Sequence, residues 1–462
     1  MRKPHRTAVL NIVGLTESRI GAHTPNLLRF RESATLTHLT APLPAVTTTS
    51  QSAMLTGVSV SDHGIVGNGW YDRESAEIRF WKQSSRFVRT PRVWETARDR
   101  DPSVTCANMF WWYNMYSSAE FSVTPRPMYK ADGRKIPDCY SEPPELRTDL
   151  QRELGTFPLF RFWGPAASIE STEWIARASI KVHETCDPTL SLIYLPHLDY
   201  ALQKYGPVSP QARNADGEID RVAGDLINHF ERTDTRFMIV SEYGIEPVSD
   251  AVHINRALRE AGLVRVRTEQ GLDILDPGAS RAFAVADHQI AHVYVRDGAD
   301  LAETRSVCER TAGVGRVLDE DGKRAHAIDC DRSGDLVLIA EPGRWFSYYY
   351  WLDDSRAPDF ARTVDIHRKP GYDPVELILD PAIRFPPLAI GSRLIRKRLG
   401  FRTLMDLIPL DTSLVRGSHG RPASAPELGP MMLSRYGATG AHGGVMPMEG
   451  VRDVILEHLF GG

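Results

Sequence analysis

The chain has 462 residues, 42% of them hydrophobic and 25% charged, with a formal net charge of −4. These values describe an ordinary soluble globular protein, large enough for two or three units or for one large α/β domain with insertions. There is no large basic excess, no Lys/Arg block and no apolar stretch near the roughly 20 residues that span a bilayer, so neither a nucleic-acid polymer nor a membrane is expected as a partner.

In chain order, the first element is the apolar run AVLNIVGL (8–15). Basic residues precede it, as in a signal peptide, but Asn11 interrupts it and no small-residue cleavage site follows, so it reads as a buried strand. The uncharged, hydroxyl-rich run PAVTTTSQSAMLTG (44–57) reads either as a polar loop or as a helix start carrying a nucleophile. Residues 86–164, rich in aromatics and proline, interrupt the pattern. Within them FWWYNMY (110–116) reads as core packing, with stacking on a nucleobase or another planar group as the alternative. Arg126, Lys130, Arg134 and Lys135 follow, and suit phosphate contact or a solvated loop equally well.

Two further apolar runs, LSLIYL (190–195) and RFMIVS (236–241), read as buried strands. Ile219, Val222, Ala223, Leu226, Ile227 and Phe230 recur at helical spacing. Residues 249–263 read as another helix with Gly262 near its end, and 447–460 as a last helix. Residues 265–342 carry alternating strand-like runs and read as an inserted cap. Strands alternating with helices imply a mainly parallel sheet covered on both faces, whose sites form at the carboxyl ends of strands. The five cysteines (Cys106, Cys139, Cys186, Cys308 and Cys330) are odd in number and form no CxxC pair, so a reducing, cytoplasmic setting is expected.

Three metal-ligand side-chain types stand in the expected loops: Asp199, Glu242 in SEYG (241–244) and His419 in LVRGSHGRP (414–422). Carboxylates with an imidazole suit zinc, manganese or a similar divalent ion. Each alone reads equally as a helix cap, an ion-pair member or a turn residue.

The chain resembles the nucleotide pyrophosphatase/phosphodiesterase branch of the alkaline phosphatase superfamily. The resemblance rests first on Thr47, then Thr56-Gly57, then HGIVGN (63–68), which follow the family's pattern in register from Thr47 to Asn68. It implies Thr47 as nucleophile and Asn68 as donor to a phosphate oxygen. A helix starting at Thr47 would favour an anionic phosphate beside the hydroxyl, and an alcohol needs a metal or a base to attack. It further implies an alkaline-phosphatase-like core from 1–264 and 343–462, with 265–342 as the cap.

Departures from the family pattern fall on its ligands. The first-strand Asp is Val13, one imidazole becomes Gln203 four residues after Asp199, and an Asp/His pair becomes Glu242-Tyr243. His419 is retained. The implied metal set is therefore Asp199, Gln203, Glu242 and His419, with His367 or His197 as possible compensation, for one or two divalent ions. Asp287, His288 and His292 in ADHQIAH read as cap or core residues. The expected activity is metal-dependent hydrolysis of phosphodiester or pyrophosphate bonds in a small phosphate ester or nucleotide-like substrate, through a covalent Thr intermediate. Two alternatives stay open: a metal-poor phosphoryl or related group transferase of a biosynthetic pathway, and a non-catalytic binding homologue.

Overall fold

The run at 8–15 supplies strand Thr7–Ile12, and every residue of that strand is buried. The same holds for Leu190–Leu195. Side chains along a strand alternate between faces, so complete burial requires cover on both. The structure, a computed structural model, describes residues 3–436 and 444–461. Its central sheet has nine strands in the order Val445–Pro447, Thr35–Thr40, Met431–Ser434, Arg236–Val240, Thr7–Ile12, Leu190–Leu195, Cys106–Met109, Phe121–Pro125 and Cys139–Glu142. Met431–Ser434 and Cys139–Glu142 run against the others. Helices Ile169–Cys186 and Pro210–Arg232 pack together against one side, while Thr47–Thr56, Val93–Arg100 and Val451–Phe460 form a second group. This is the α/β fold with a mostly parallel sheet that the sequence predicts.

Two readings change. Residues 106–109, 121–125 and 139–142 lie in the segment expected to interrupt the fold, yet they are three strands of the central sheet. Residues 249–263 do not form one helix: Asp250–Val252 pairs in parallel with Arg344–Phe346, and the helix is Ile254–Glu260. Pairing with a strand some ninety residues away supplies backbone partners that a local helical pattern cannot anticipate.

Residues 265–342 contain a second, four-stranded antiparallel sheet: Ala282–Asp287, Ile290–Val295, Leu336–Ala340 and Val314–Leu318 in spatial order. It has its own apolar cluster, which also takes in Val60, Ile65, Trp70, Trp112 and Trp351 from outside that segment. The cysteines are all free. Among the described residues, no helix is long and apolar enough to cross a membrane.

Candidate active site

The hydroxyl-rich run is a buried helix. Thr47–Thr56 starts after Val46 in extended conformation, and all ten of its residues are buried. A helix buried on every side but built from alcohols depends on internal partners, and all its threonine and serine hydroxyls but that of Thr49 find one among the described residues. Thr48 donates to the Gly67 carbonyl (2.7 Å), Ser52 to Thr48 O (2.6 Å), Thr56 to Ser52 O (2.6 Å) and Ser50 to Glu242 O (3.2 Å). Thr47, at the first helical position, is the one whose hydroxyl meets the other chemistry-bearing groups.

Its Oγ1 lies 3.0 Å from Tyr243 Oη. Tyr243 in turn donates to Asp199 Oδ1 at 3.1 Å. Burial holds the phenol well above its ordinary pKa, so it keeps its single proton. With that proton given to Asp199, Thr47 is the donor to Tyr243. Asp199 sits in helix His197–Tyr205, which follows strand Leu190–Leu195. Its Oδ2 accepts from Gln203 Nε2 at 2.8 Å, and Gln203 Oε1 accepts from Tyr372 at 3.0 Å. A continuous hydrogen-bonded chain therefore runs Thr47–Tyr243–Asp199–Gln203–Tyr372.

His419 follows the two-residue strand Gly417–Ser418, which pairs with Glu246–Pro247 just beyond Tyr243. Its Nδ1 donates to the Ala45 carbonyl at 2.8 Å, and Nε2 faces Asp199 Oδ1 at 3.7 Å. Burial lowers the imidazole pKa to about 3, so the ring is neutral. Glu242 Oε1 accepts from Asn11 (2.6 Å) and Gln51 (2.7 Å). Burial raises Glu242 to about 8 and Asp199 to about 7, with neither paired to a Lys or Arg among the described residues.

Asn68 links the helix start to the second sheet. Its Oδ1 accepts from Thr48 N at 3.2 Å, and Nδ2 donates to Asp287 Oδ1 at 3.1 Å. Asp287 Oδ2 accepts the Asn68 backbone N–H at 2.7 Å, and burial raises that carboxyl to about 7. His288 stacks between Tyr372 and His419, with ring centroids 3.7 and 3.6 Å away. Asp287 and His288, read from sequence as cap or core residues, thus enter the Thr47 cluster at a hairpin turn. His292 is a core residue bonded to Val66 O and Gly334 N.

The structure brings Thr47, Asn68, Asp199, Gln203, Glu242 and His419 together. It leaves out His367, which bonds the Phe80 carbonyl, and His197, which pairs with Glu218. Asn11, Gln51 and Tyr372 have no part in the sequence reading of the site, which takes Tyr243 as the replacement of a family histidine and Asp287 and His288 as cap or core residues.

The donor set does not fit the metal centre that the resemblance implies. Among the described residues, no group of three or more His, Cys, Asp or Glu side chains is arranged to hold a metal ion. Val13 offers no donor atom, and the Gln203 amide oxygen already accepts from Tyr372. Tyr243 Oη stands between Thr47 and Asp199 and bonds both. Glu242 Oε2 and His419 Nε2 lack hydrogen-bond partners among the described residues, but they are two donors and not a closed set.

A nine-stranded, mostly parallel sheet with a helix-borne threonine beyond its strand ends defines an alkaline-phosphatase-like α/β protein. The chain belongs to the type I phosphodiesterase / nucleotide pyrophosphatase family, whose family model matches residues 7–373. It is similar to an uncharacterized pyrophosphatase/phosphodiesterase of Schizosaccharomyces pombe, 22% identical over 378 residues, which are 80% of this chain and 67% of that protein. Among solved structures, it resembles a phosphonoacetate hydrolase from Sinorhizobium meliloti in complex with phosphonoformate, with TM-score 0.62, 16% identity and cover of 99% of this chain and 97% of that one. It also resembles an inactive form of murine ectonucleotide pyrophosphatase/phosphodiesterase 5 in complex with AMP, with TM-score 0.59, 13% identity and cover of 99% and 96%. The family and these relatives support phosphoester hydrolysis.

Proposed function

We propose that the protein hydrolyses phosphodiester or pyrophosphate bonds in a small phosphate ester or nucleotide-like substrate, with Thr47 as nucleophile. The observation that carries this reading is the Thr47 hydroxyl at a helix start, hydrogen-bonded through Tyr243 toward Asp199. The N-terminal N–H groups and dipole of that helix favour negative charge on a phosphoryl group beside Thr47. Asn68 keeps a second amide hydrogen for a phosphoryl oxygen. Thr47 Oγ1 attacks phosphorus, its proton passes to Tyr243 while Tyr243 gives its own proton to the Asp199 carboxylate, and the bond from phosphorus to the leaving oxygen breaks. That oxygen departs with the electron pair and takes a proton from solvent. Water then attacks the phosphothreonine ester and restores the hydroxyl. Relatives that hold AMP and phosphonoformate support a small phosphate or phosphonate substrate.

Metal-poor group transfer is the second reading, favoured by Gln203 and Tyr243 at positions where the resemblance places histidine ligands. The experiment is hydrolysis of bis(4-nitrophenyl) phosphate and nucleotide diesters by the wild type and Thr47→Ala, before and after chelator treatment and with added zinc or manganese. A phosphorylated Thr47 trapped by intact mass is expected. Activity surviving in Thr47→Ala overturns the nucleophile assignment. Transfer of the phosphoryl group to an added alcohol in preference to water selects the second reading.

A further inference from the structure

Among the described residues, a surface helix turns its apolar face outward. Pro386–Arg398 buries none of its residues. At 100° per residue, Leu388, Ile395 and Leu399 share one stripe spanning that helix and the residue after it. They are 71%, 62% and 70% exposed. The opposite side, with Ala389, Arg393 and Lys397, is the half-buried one that rests on the protein. Phe385 and Phe401 extend the exposed apolar surface beyond the two ends. Soluble helices ordinarily turn such a stripe inward.

The charge around it is one-sided. Residues 384–404 hold six cations (Arg384, Arg393, Arg396, Lys397, Arg398 and Arg402) and no Asp or Glu; one of the six, Arg393, is paired with Asp406 just beyond. Arg396 and Arg398 flank the apolar stripe, and neither makes an ion pair among the described residues. The loop at 126–136 lies alongside, with Arg402 donating to Ala131 O. It adds Arg126, Lys130 and Lys135 together with exposed Met128 and Tyr129. An apolar stripe bordered by cations complements the headgroup–acyl boundary of an anionic bilayer. An acidic protein partner would match the charge but would not need so continuous an apolar face. The expectation of no membrane partner rested on the absence of a basic excess, of a Lys/Arg block and of a spanning apolar stretch, and it passed over the short run Arg396-Lys397-Arg398.

We propose that the face built from 384–404 and 126–136 docks the protein on the surface of a membrane rich in anionic lipid. The helix lies in the interface plane, its length of about 20 Å and its basic flanks excluding a spanning role. Leu388, Ile395 and Leu399 enter the acyl boundary while Arg396 and Arg398 meet headgroup phosphates.

The test is co-sedimentation of the full chain with vesicles of phosphatidylcholine alone or mixed with phosphatidylglycerol. Wild-type protein is expected to pellet with the anionic vesicles only, and less at high salt. Since each basic residue near such a surface raises partitioning roughly fivefold, Arg396→Gln/Arg398→Gln should lower it on the order of twentyfold. Leu388→Ser/Ile395→Ser/Leu399→Ser should abolish it. Both variants should keep the wild-type circular dichroism spectrum and the wild-type rate on a soluble ester, because these residues lie outside the Thr47 cluster. No sedimentation of the wild type, or equal sedimentation of wild type and variants, overturns the proposal. So does a dimer in solution that the triple serine variant abolishes, which would assign the stripe to a second copy of the chain.

Discussion

The phenol of Tyr243 lies flat on the imidazole of His419, with ring centroids 3.5 Å apart and planes 7° from parallel. The stack fixes the Tyr243 hydroxyl between Thr47 and Asp199, and holds His419 Nε2 toward the same carboxyl. Tyr243→Phe keeps the ring and removes the hydroxyl. It should therefore leave the fold intact and lower kcat by roughly ten- to a hundredfold, the effect of losing about 1–3 kcal/mol of hydrogen bonding at a buried site. Steady-state kinetics beside a urea unfolding curve separates the two effects. A wild-type rate in Tyr243→Phe means that Thr47 is aligned by something else.

Thr47 itself should be graded by what replaces it. Thr47→Ala removes the attacking oxygen and should abolish turnover, since Thr48 spends its hydroxyl on the Gly67 carbonyl and cannot substitute. Thr47→Ser keeps the oxygen with a freer rotamer and should retain partial activity. Asn68→Ala should cost on the order of a hundredfold, by analogy with removal of one donor to developing oxyanion charge. Release of 4-nitrophenolate by the three variants gives the ranking.

The sequence made the parallel core legible because its strands are fully buried apolar runs; Asp199 and Glu242 stand just after two of those runs, while Thr47 and His419 were read through the family resemblance. The remaining site residues required tertiary structure. Asn11 showed only as a polar break in an apolar strand, whereas its amide serves Glu242, 231 positions away. Asp287 and His288 sit at a turn of the second sheet, and nothing local in ADHQ reveals that this turn faces Asn68 and His419. The strands at 106–109 and 121–125 are too short for a period to register. The cationic helix went unread because Arg396-Lys397-Arg398 is a run of only three, and because the exposure of its apolar stripe shows only in the fold.

Gly244 follows Glu242-Tyr243 and has no room for a side chain. A Cβ there would meet the Leu428 carbonyl oxygen at 1.7 Å and Thr16 Cγ2 at 3.0 Å. Backbone must move to admit it, and the movement falls on the turn that carries Glu242 and Tyr243. Gly244→Ala should lower stability by roughly 1–3 kcal/mol and reduce activity more than the folded fraction explains. Thermal unfolding together with activity per folded molecule measures both. A neutral outcome would show that the 428–429 loop yields freely.

Lys369 is almost wholly buried, with Nζ 2.7 Å from Asp373 Oδ2 and 2.8 Å from Glu376 Oε1. Glu376 also accepts from Trp163 Nε1 at 2.6 Å. One ammonium serves two carboxyl groups, and burial raises Glu376 above the ordinary carboxyl range. Lys369→Met leaves two carboxyl groups buried without their cation and should cost about 3–5 kcal/mol. Lys369→Met combined with Asp373→Asn and Glu376→Gln should recover part of the loss, because the unpaired charges go with it. Urea midpoints of the single and triple variants decide, and equal losses in both would assign the cost to packing.

Acid should destabilise the fold through histidines held neutral. Burial lowers His63 to about 3, and His292 and His458 to about 4. The unfolded chain titrates near 6.5, so below that pH it binds protons the folded chain refuses. The stability these groups protect is complete above about pH 6.5 and is lost as pH falls toward 3–4, at about 1.4 kcal/mol per pH unit for each histidine. His458 is the cleanest probe. Its Nε2 contacts Ser434 Oγ at 2.7 Å and the Tyr436 carbonyl at 2.9 Å, and neither group belongs to the Thr47 cluster. His458→Gln keeps a hydrogen-bonding group and cannot take up the proton. Urea unfolding at about pH 7 and about pH 5 should show a smaller loss in His458→Gln than in the wild type, by roughly 2 kcal/mol. Equal losses would mean that His458 gains its proton without unfolding.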